Sequence, residues 1–149
     1  MAIQPMQLYN DAYEDLYIAQ TLDWAGATNV AAILCTNSYS INAFQGTYGD
    51  VTHECTDADY DPKPVTDRVV DRDSDRIRYR HARIDWGSNV TISARYIVFV
   101  LGDPAALLST DRVIGVVDLG ETKSAVADTD NSTFAFTPAL TGLWNVLRS

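Results

Sequence analysis

Cysteine is scarce in this chain: Cys35 and Cys55 are the two it contains. Two cysteines are too few for the disulfide framework of a small secreted domain. Long hydrophobic runs are also missing, since no stretch approaches the roughly 18 apolar residues that span a bilayer. The opening Met1-Ala-Ile-Gln-Pro-Met6 lacks the basic patch and apolar core of a secretory signal. Synthesis in a reducing cytoplasm, with both thiols free, is the expectation. Positive charge is in short supply, with eleven basic against twenty acidic residues and a net charge of −9. Such a chain is repelled by nucleic acid and by anionic membranes, so neither is expected as a partner. There is no internal repeat and no glycine-rich phosphate loop. No Gly-x-Ser-x-Gly elbow is present either.

What is present is enough for one domain, 1–149, with a sizeable core: 149 residues, 46% of them hydrophobic. Residues 1–9 read as an arm and 10–26 as a helix and turn. Asn10 stands where an N-cap belongs, and Asp11, Glu14 and Asp15 suit the positive end of a helix. Tyr9, Tyr13, Leu16, Tyr17 and Gln20 recur at helical spacing. From residue 28 the period changes. Residues 30–35 form an apolar run that suits a buried strand, and 37–64 is a polar loop with a short helix around 50–55. Residues 65–70 and 76–86 predict a hairpin joined by 71–75. A parity switch in the second strand predicts a β-bulge near His81.

Residues 90–101 alternate strictly. Ile92, Ala94, Tyr96, Val98 and Val100 share one face, and Ser93, Arg95, Ile97, Phe99 and Leu101 the other. Strands at 112–119, stopped by Gly120, and at 132–137 follow, with 121–131 turn-like between them. Leu140, Leu143, Trp144 and Val146 give the C-terminus apolar surface to dock. The sum is a mainly β fold. We expect an antiparallel β-sandwich of about six or seven strands, with an N-terminal arm and one short helix.

Chemistry is hard to find in the sequence. Asp71, Asp73 and Asp75 alternate like the start of a calcium loop. The sixth position is Arg76 rather than Gly and the twelfth is Ala82 rather than Glu, so a solvated hairpin tip is the better reading. His53, Cys55, Asp57 and Asp59 match no zinc spacing and read as a polar loop. No catalytic constellation, metal site or cofactor site is expected, and the chain reads as a non-enzyme. Arg76, Arg78 and Arg80 share one strand face among acidic neighbours, which suits a cross-strand ion-pair ladder within the chain or to a neighbouring copy. Eight tyrosines and three tryptophans exceed what a small core needs, so an assembly surface is expected.

The stretch Asp85-Trp-Gly-Ser-Asn-Val-Thr-Ile-Ser-Ala-Arg-Tyr-Ile-Val-Phe-Val100 is followed by Val113-Ile-Gly-Val-Val-Asp-Leu-Gly120 and Thr133-Phe-Ala-Phe136. With the earlier Thr36-Asn-Ser-Tyr39, these resemble a family of small tailed-bacteriophage virion proteins over roughly residues 28 to 140. Residues 50–75 are Asp-rich where the family is Gly-rich, and the N-terminal arm and helix are particular to this chain. The resemblance implies a structural role: capsid decoration, head-fibre or minor capsid protein. On that basis the chain is expected on the virion surface after synthesis in the host cytoplasm, as a homotrimer on the major capsid protein. Met6, Leu8, Tyr9, Tyr39, Phe44 and Tyr48 are the expected capsid contacts, and Arg76, Arg78 and Arg80 contacts to a neighbouring copy. A tail, head–tail connector or fibre-base protein, and a host-directed binding module, are the alternatives.

Overall fold

A computed structural model describes residues 3–17, 19, 22–73, 76–139 and 142–147, with Asp73 and 145–147 as backbone alone. Asp75, Gln20 and Leu140, each given a place by the sequence, lie outside the described residues. The strands are β1 (Gln7–Leu8), β2 (Ala31–Cys35), β3 (Lys63–Pro64), β4 (Val69–Asp73), β5 (Arg76–Arg80), β6 (Ile84–Gly87), β7 (Ile92–Leu101), β8 (Arg112–Ala125), β9 (Phe134–Phe136) and β10 (Trp144–Leu147). One helix, α1 (Asn10–Tyr17), follows β1. Among the described residues all pairings are antiparallel. A five-stranded sheet has the order β1-β8-β7-β2-β3, a three-stranded sheet β10-β5-β4 and a two-stranded sheet β6-β9. The fold is mainly β and sandwich-like, and no sheet among the described residues closes into a barrel.

β2 sits one strand in from the sheet edge, and all five of its residues are buried. That is why 30–35 reads as a continuous apolar run rather than an alternating one. Ala32 and Leu34 face the larger core, shared with Trp24, Trp86, Phe99, Phe134, Phe136 and Trp144. Ile33 and Cys35 face a second core with Tyr9, Tyr39, Tyr96, Val98 and Val113. The large sheet is therefore covered on both sides. The smaller sheets close one side, and loops 37–51 and 102–111 close the other.

Several boundaries differ from the sequence expectations. Residues 76–86 are two strands in different sheets, so the parity switch at His81 marks a corner rather than a bulge. A bulge does occur in β7, where the register breaks between Ala94 and Tyr96. There the faces exchange: Ile92 and Ala94 share the larger core with Ile97 and Phe99, while Tyr96, Val98 and Val100 face the second core. Strict alternation across 90–101 is thereby corrected. Asp71 and Asp73 belong to β4 rather than to the hairpin turn. β8 runs on through Gly120, at φ +86°, to Ala125. The short helical turn lies at Tyr48–Asp50, just before the expected place. Among the described residues ten strands are seen instead of six or seven, because one expected strand is split and β1, β3 and β10 are additional.

The arm is not a free extension. It lies along β8, with Gln7 opposite Val116 and Leu8 opposite Gly115. A Cβ on Gly115 would come within 2.7 Å of the Gln7 carbonyl and 2.8 Å of Met6. Glycine there lets the arm approach. Arg112 at the start of β8 pairs with Asp15 at 2.8 Å and Asp11 at 3.8 Å, fastening α1 beside it.

Candidate functional site

The loop layer over the second core is built from hydroxyls. The Tyr9 and Tyr39 hydroxyls are hydrogen-bonded to each other. Tyr39 donates to Gln45 Oε1 at 2.7 Å, and Gln45 Nε2 donates to the Asp50 carbonyl at 2.9 Å. Tyr48 and Tyr60 each donate to the Glu54 carboxylate at 2.6 Å, and Tyr60 accepts from the Leu34 amide at 3.2 Å. Burial raises the pKa of the Tyr9, Tyr39, Tyr48 and Tyr60 phenols, and the Glu54 charge pushes Tyr48 and Tyr60 further the same way. All four stay protonated and act as donors. The sequence signal for this network is weak, because Tyr9, Tyr39 and Glu54 come from separate segments.

On this scaffold stands Phe44, 85% exposed. Its turn is pinned on both sides. The Phe44 amide donates to Asn42 Oδ1 at 3.0 Å, and the Asn10 amide donates to the Ala43 carbonyl at 2.9 Å. Asp50 Oδ2 accepts from the Gly46 and Thr47 amides, both at 3.1 Å, and these bonds hold its carboxyl below the usual range. Ile41, Tyr13 and Leu108 are also exposed on α1 and the two loops. A large apolar side chain on a stiff turn is pre-organised for docking, since its ordering cost is met before binding.

The other expected contact residues fall in different places. Met6, Tyr9 and Tyr39 are buried in this chain's own core, which corrects their assignment as surface contacts. An arm followed by a helix reads as exposed only when its docking strand is invisible. Leu8 and Tyr48 are half-buried. Arg78 and Arg80 both reach Asp71, with Nε–Oδ1 at 2.8 Å and Nη1–Oδ2 at 2.8 Å, so this part of the ladder lies within the chain. Hydrogen bonds from Arg78, then the two charges, hold the Asp71 carboxyl low. Arg76 lies on the same strand face, opposite Asp73 in register.

The acidic loop is stitched down rather than poised for metal. Asp59 accepts from the Thr91 amide at 2.8 Å and Asp57 from the Ser93 amide at 3.2 Å. Cys55 Sγ donates to the Ser93 carbonyl at 3.1 Å, and His53 Nδ1 meets Thr52 Oγ1 at 3.1 Å. Among the described residues no cluster of three or more His, Cys, Asp or Glu is arranged to hold a metal ion. Burial pushes the Cys55 thiol up to about 12 and raises Cys35 as well, so both are poor nucleophiles near neutrality. The two cysteines are free and face opposite cores.

Arg95 finds its partner in Asp118, a residue of the second motif. The guanidinium is bidentate, Nε to Oδ1 at 3.1 Å and Nη2 to Oδ2 at 3.3 Å, and Nη1 reaches Asn37 Oδ1 at 3.0 Å. The Gly120 amide also donates to Asp118 Oδ1 at 2.8 Å. Burial acts to raise Asp118, but the Arg95 and Gly120 hydrogen bonds and the Arg95 charge outweigh it and hold the carboxyl low. A depressed carboxyl stabilises the fold above its unfolded pKa, near 4, and the contribution is lost as pH falls through the folded value. Asp118→Asn is therefore expected to lower the thermal midpoint at pH 7. The gap from wild type closes in scans at progressively lower pH below 4. Gly115, Asp118 and Gly120 thus form a framework: room for the arm, an anchor for Arg95 and a left-handed turn.

Among the described residues no helix is long and apolar enough to cross a membrane. In comparisons with known proteins, no family model, no curated protein and no solved structure matches this chain.

Proposed function

We propose that this protein is a tailed-phage capsid decoration protein, which binds the outer face of the head lattice and cements neighbouring subunits. One observation carries the reading: Phe44, 85% exposed, stands on a turn fixed by hydrogen bonds on both sides. Its surroundings favour docking. Ile41, Tyr13 and Leu108 add apolar area, and the charged residues of 10–17, 37–51 and 102–112 are six carboxylates and Arg112. Such a surface suits an apolar recess with a basic rim and avoids packaged DNA. The family resemblance over the Arg95 and Asp118 strands supports the virion assignment. The outer face of β5, with Arg76, Arg78 and Arg80, is the side offered to a neighbouring copy, as a homotrimer would need.

The test is copy number in purified particles, measured against the major capsid protein by quantitative mass spectrometry. A ratio within a few-fold of one supports cement. A handful of copies moves the protein to the tail or connector, and absence from particles overturns the virion reading. Phe44→Ala is expected to cut occupancy on particles at least tenfold, as loss of an aromatic anchor worth about 2 kcal/mol would. The thermal midpoint of the free protein is expected to stay unchanged.

A further inference from the structure

His81 occupies the corner where the chain leaves β5 for β6, and it is 93% buried by its 7% residual exposure. Its ring lies among Trp24, Phe99 and Phe136, with centroids 6.2, 5.7 and 6.0 Å away. Nδ1 donates to the Ala82 carbonyl at 2.6 Å, which fixes the neutral tautomer with Nε2 unprotonated. Nε2 is buried and has no hydrogen-bond partner. The corner is also where the three-stranded sheet is held to the rest of the molecule. Trp24 Nε1 donates to the Arg80 carbonyl at 3.0 Å, and the Met6 amide, on the arm beside β8, donates at 3.1 Å to the carbonyl of Leu143, just before β10.

We propose that the His81 corner is an acid-sensitive latch, in which protonation of the imidazole loosens β4, β5 and β10 from the five-stranded sheet. A proton on Nε2 would place a donor and a positive charge where the structure offers no acceptor. The charged groups on the surrounding elements are committed elsewhere. Arg80 bonds Asp71, Arg83 lies 3.8 Å from Asp85, and Asp23 accepts from the Gly26 amide. Arg68, on the segment beside Trp24, spends its guanidinium on the Trp24, Val65 and Ala27 carbonyls. The strand residues of β7 and β9 that touch the ring are apolar, and β10 supplies Trp144 through Trp24. Among the described residues no hydrogen bond joins a carboxylate to the imidazole. Burial, opposed weakly by the Ala82 hydrogen bond, keeps the imidazole pKa below its ordinary value. With a lowered folded value, stability is full above the unfolded pKa near 6.5 and is lost as pH falls toward the folded value.

The experiment is hydrogen exchange on the full chain between pH 7.5 and 5.0, corrected for intrinsic rates, together with tryptophan emission. In wild type, amides of 69–73, 76–80 and 144–147 are expected to lose protection progressively below about pH 6.5, reaching about tenfold near pH 5.5. Amides of β2 and β7 keep theirs, and the emission of Trp24 and Trp144 shifts to the red. His81→Phe is expected to flatten both responses over the same window. An unchanged wild type down to pH 5.0 overturns the proposal, as does a His81→Phe variant with the wild-type response. Should that variant fail to fold, NMR titration of the wild-type imidazole decides. Titration at the ordinary value with no change in the β5 amides overturns the latch, whereas resistance to protonation followed by coupled loss of those amides supports it.

Discussion

Deleting residues 1–9 is expected to destabilise the domain severely or unfold it, rather than leave the fold intact. The sequence presents these residues as an arm, and arms are commonly dispensable. Here Met6 and Tyr9 are buried at 5% and 1% exposure, in two different cores. Removing a buried side chain of this size costs about 2–5 kcal/mol. The deletion also removes the β1–β8 pairing and the amides that bond the Asp118, Leu143 and Ile114 carbonyls. The total approaches the 5–15 kcal/mol that separates folded from unfolded for a typical domain. In calorimetry the thermal midpoint is expected to fall by about 15 °C or the transition to vanish. A deletion variant melting within a few degrees of wild type would mean that the arm adds nothing. Gly115→Val makes the same point without shortening the chain, because its side chain collides with Gln7 and Met6.

The arm shows why some of this molecule was legible in sequence and some was not. β2, β7 and the Thr133-Phe-Ala-Phe136 strand were visible because burial imposes a local apolar pattern. The pattern is silent about where such a strand goes next. A shift of parity has the same signature whether it comes from a bulge, as between Ala94 and Tyr96, or from a corner between sheets, as at His81. Gly120 reads as a stop in the sequence, yet the strand passes through it at φ +86°, with its amide bonded to Asp118 Oδ1. Among the candidate contacts the same blindness applies. Tyr9 and Tyr39 looked surplus to a small core, but a phenol can be buried if its hydroxyl is satisfied. Their partners are each other and Gln45, which only tertiary structure brings together. Phe44 has no such partner and stays outside.

Trp24→Ala is expected to destabilise the fold strongly. Trp24 read in the sequence as part of the turn that ends the helix, yet it is 1% exposed and among the largest fully buried side chains. Its ring lies 5.1 Å from Trp144, 6.2 Å from Phe99 and 6.2 Å from His81, so it touches β10, β7 and the β5–β6 corner together. Its indole N–H bonds the Arg80 carbonyl at 3.0 Å, and its own carbonyl accepts from Arg68 at 2.8 Å. Truncation leaves a cavity among rings that belong to separate sheets, and costs about 3–5 kcal/mol. Trp24→Phe keeps most of the packing and removes the N–H, leaving the Arg80 carbonyl unpaired, which costs about 1–3 kcal/mol. Urea titration separates the two contributions: both midpoints fall, and the alanine variant falls further. Equal losses would place the whole effect in the Arg80 hydrogen bond. A near-wild-type alanine midpoint would mean that the small sheets are held to the large one by other contacts, such as the Met6 amide bond to the Leu143 carbonyl at 3.1 Å and the His81–Phe99 ring contact at 5.7 Å. The same ring therefore decides whether the sandwich is one cooperative unit or a large sheet with smaller ones joined to it by a loose seam.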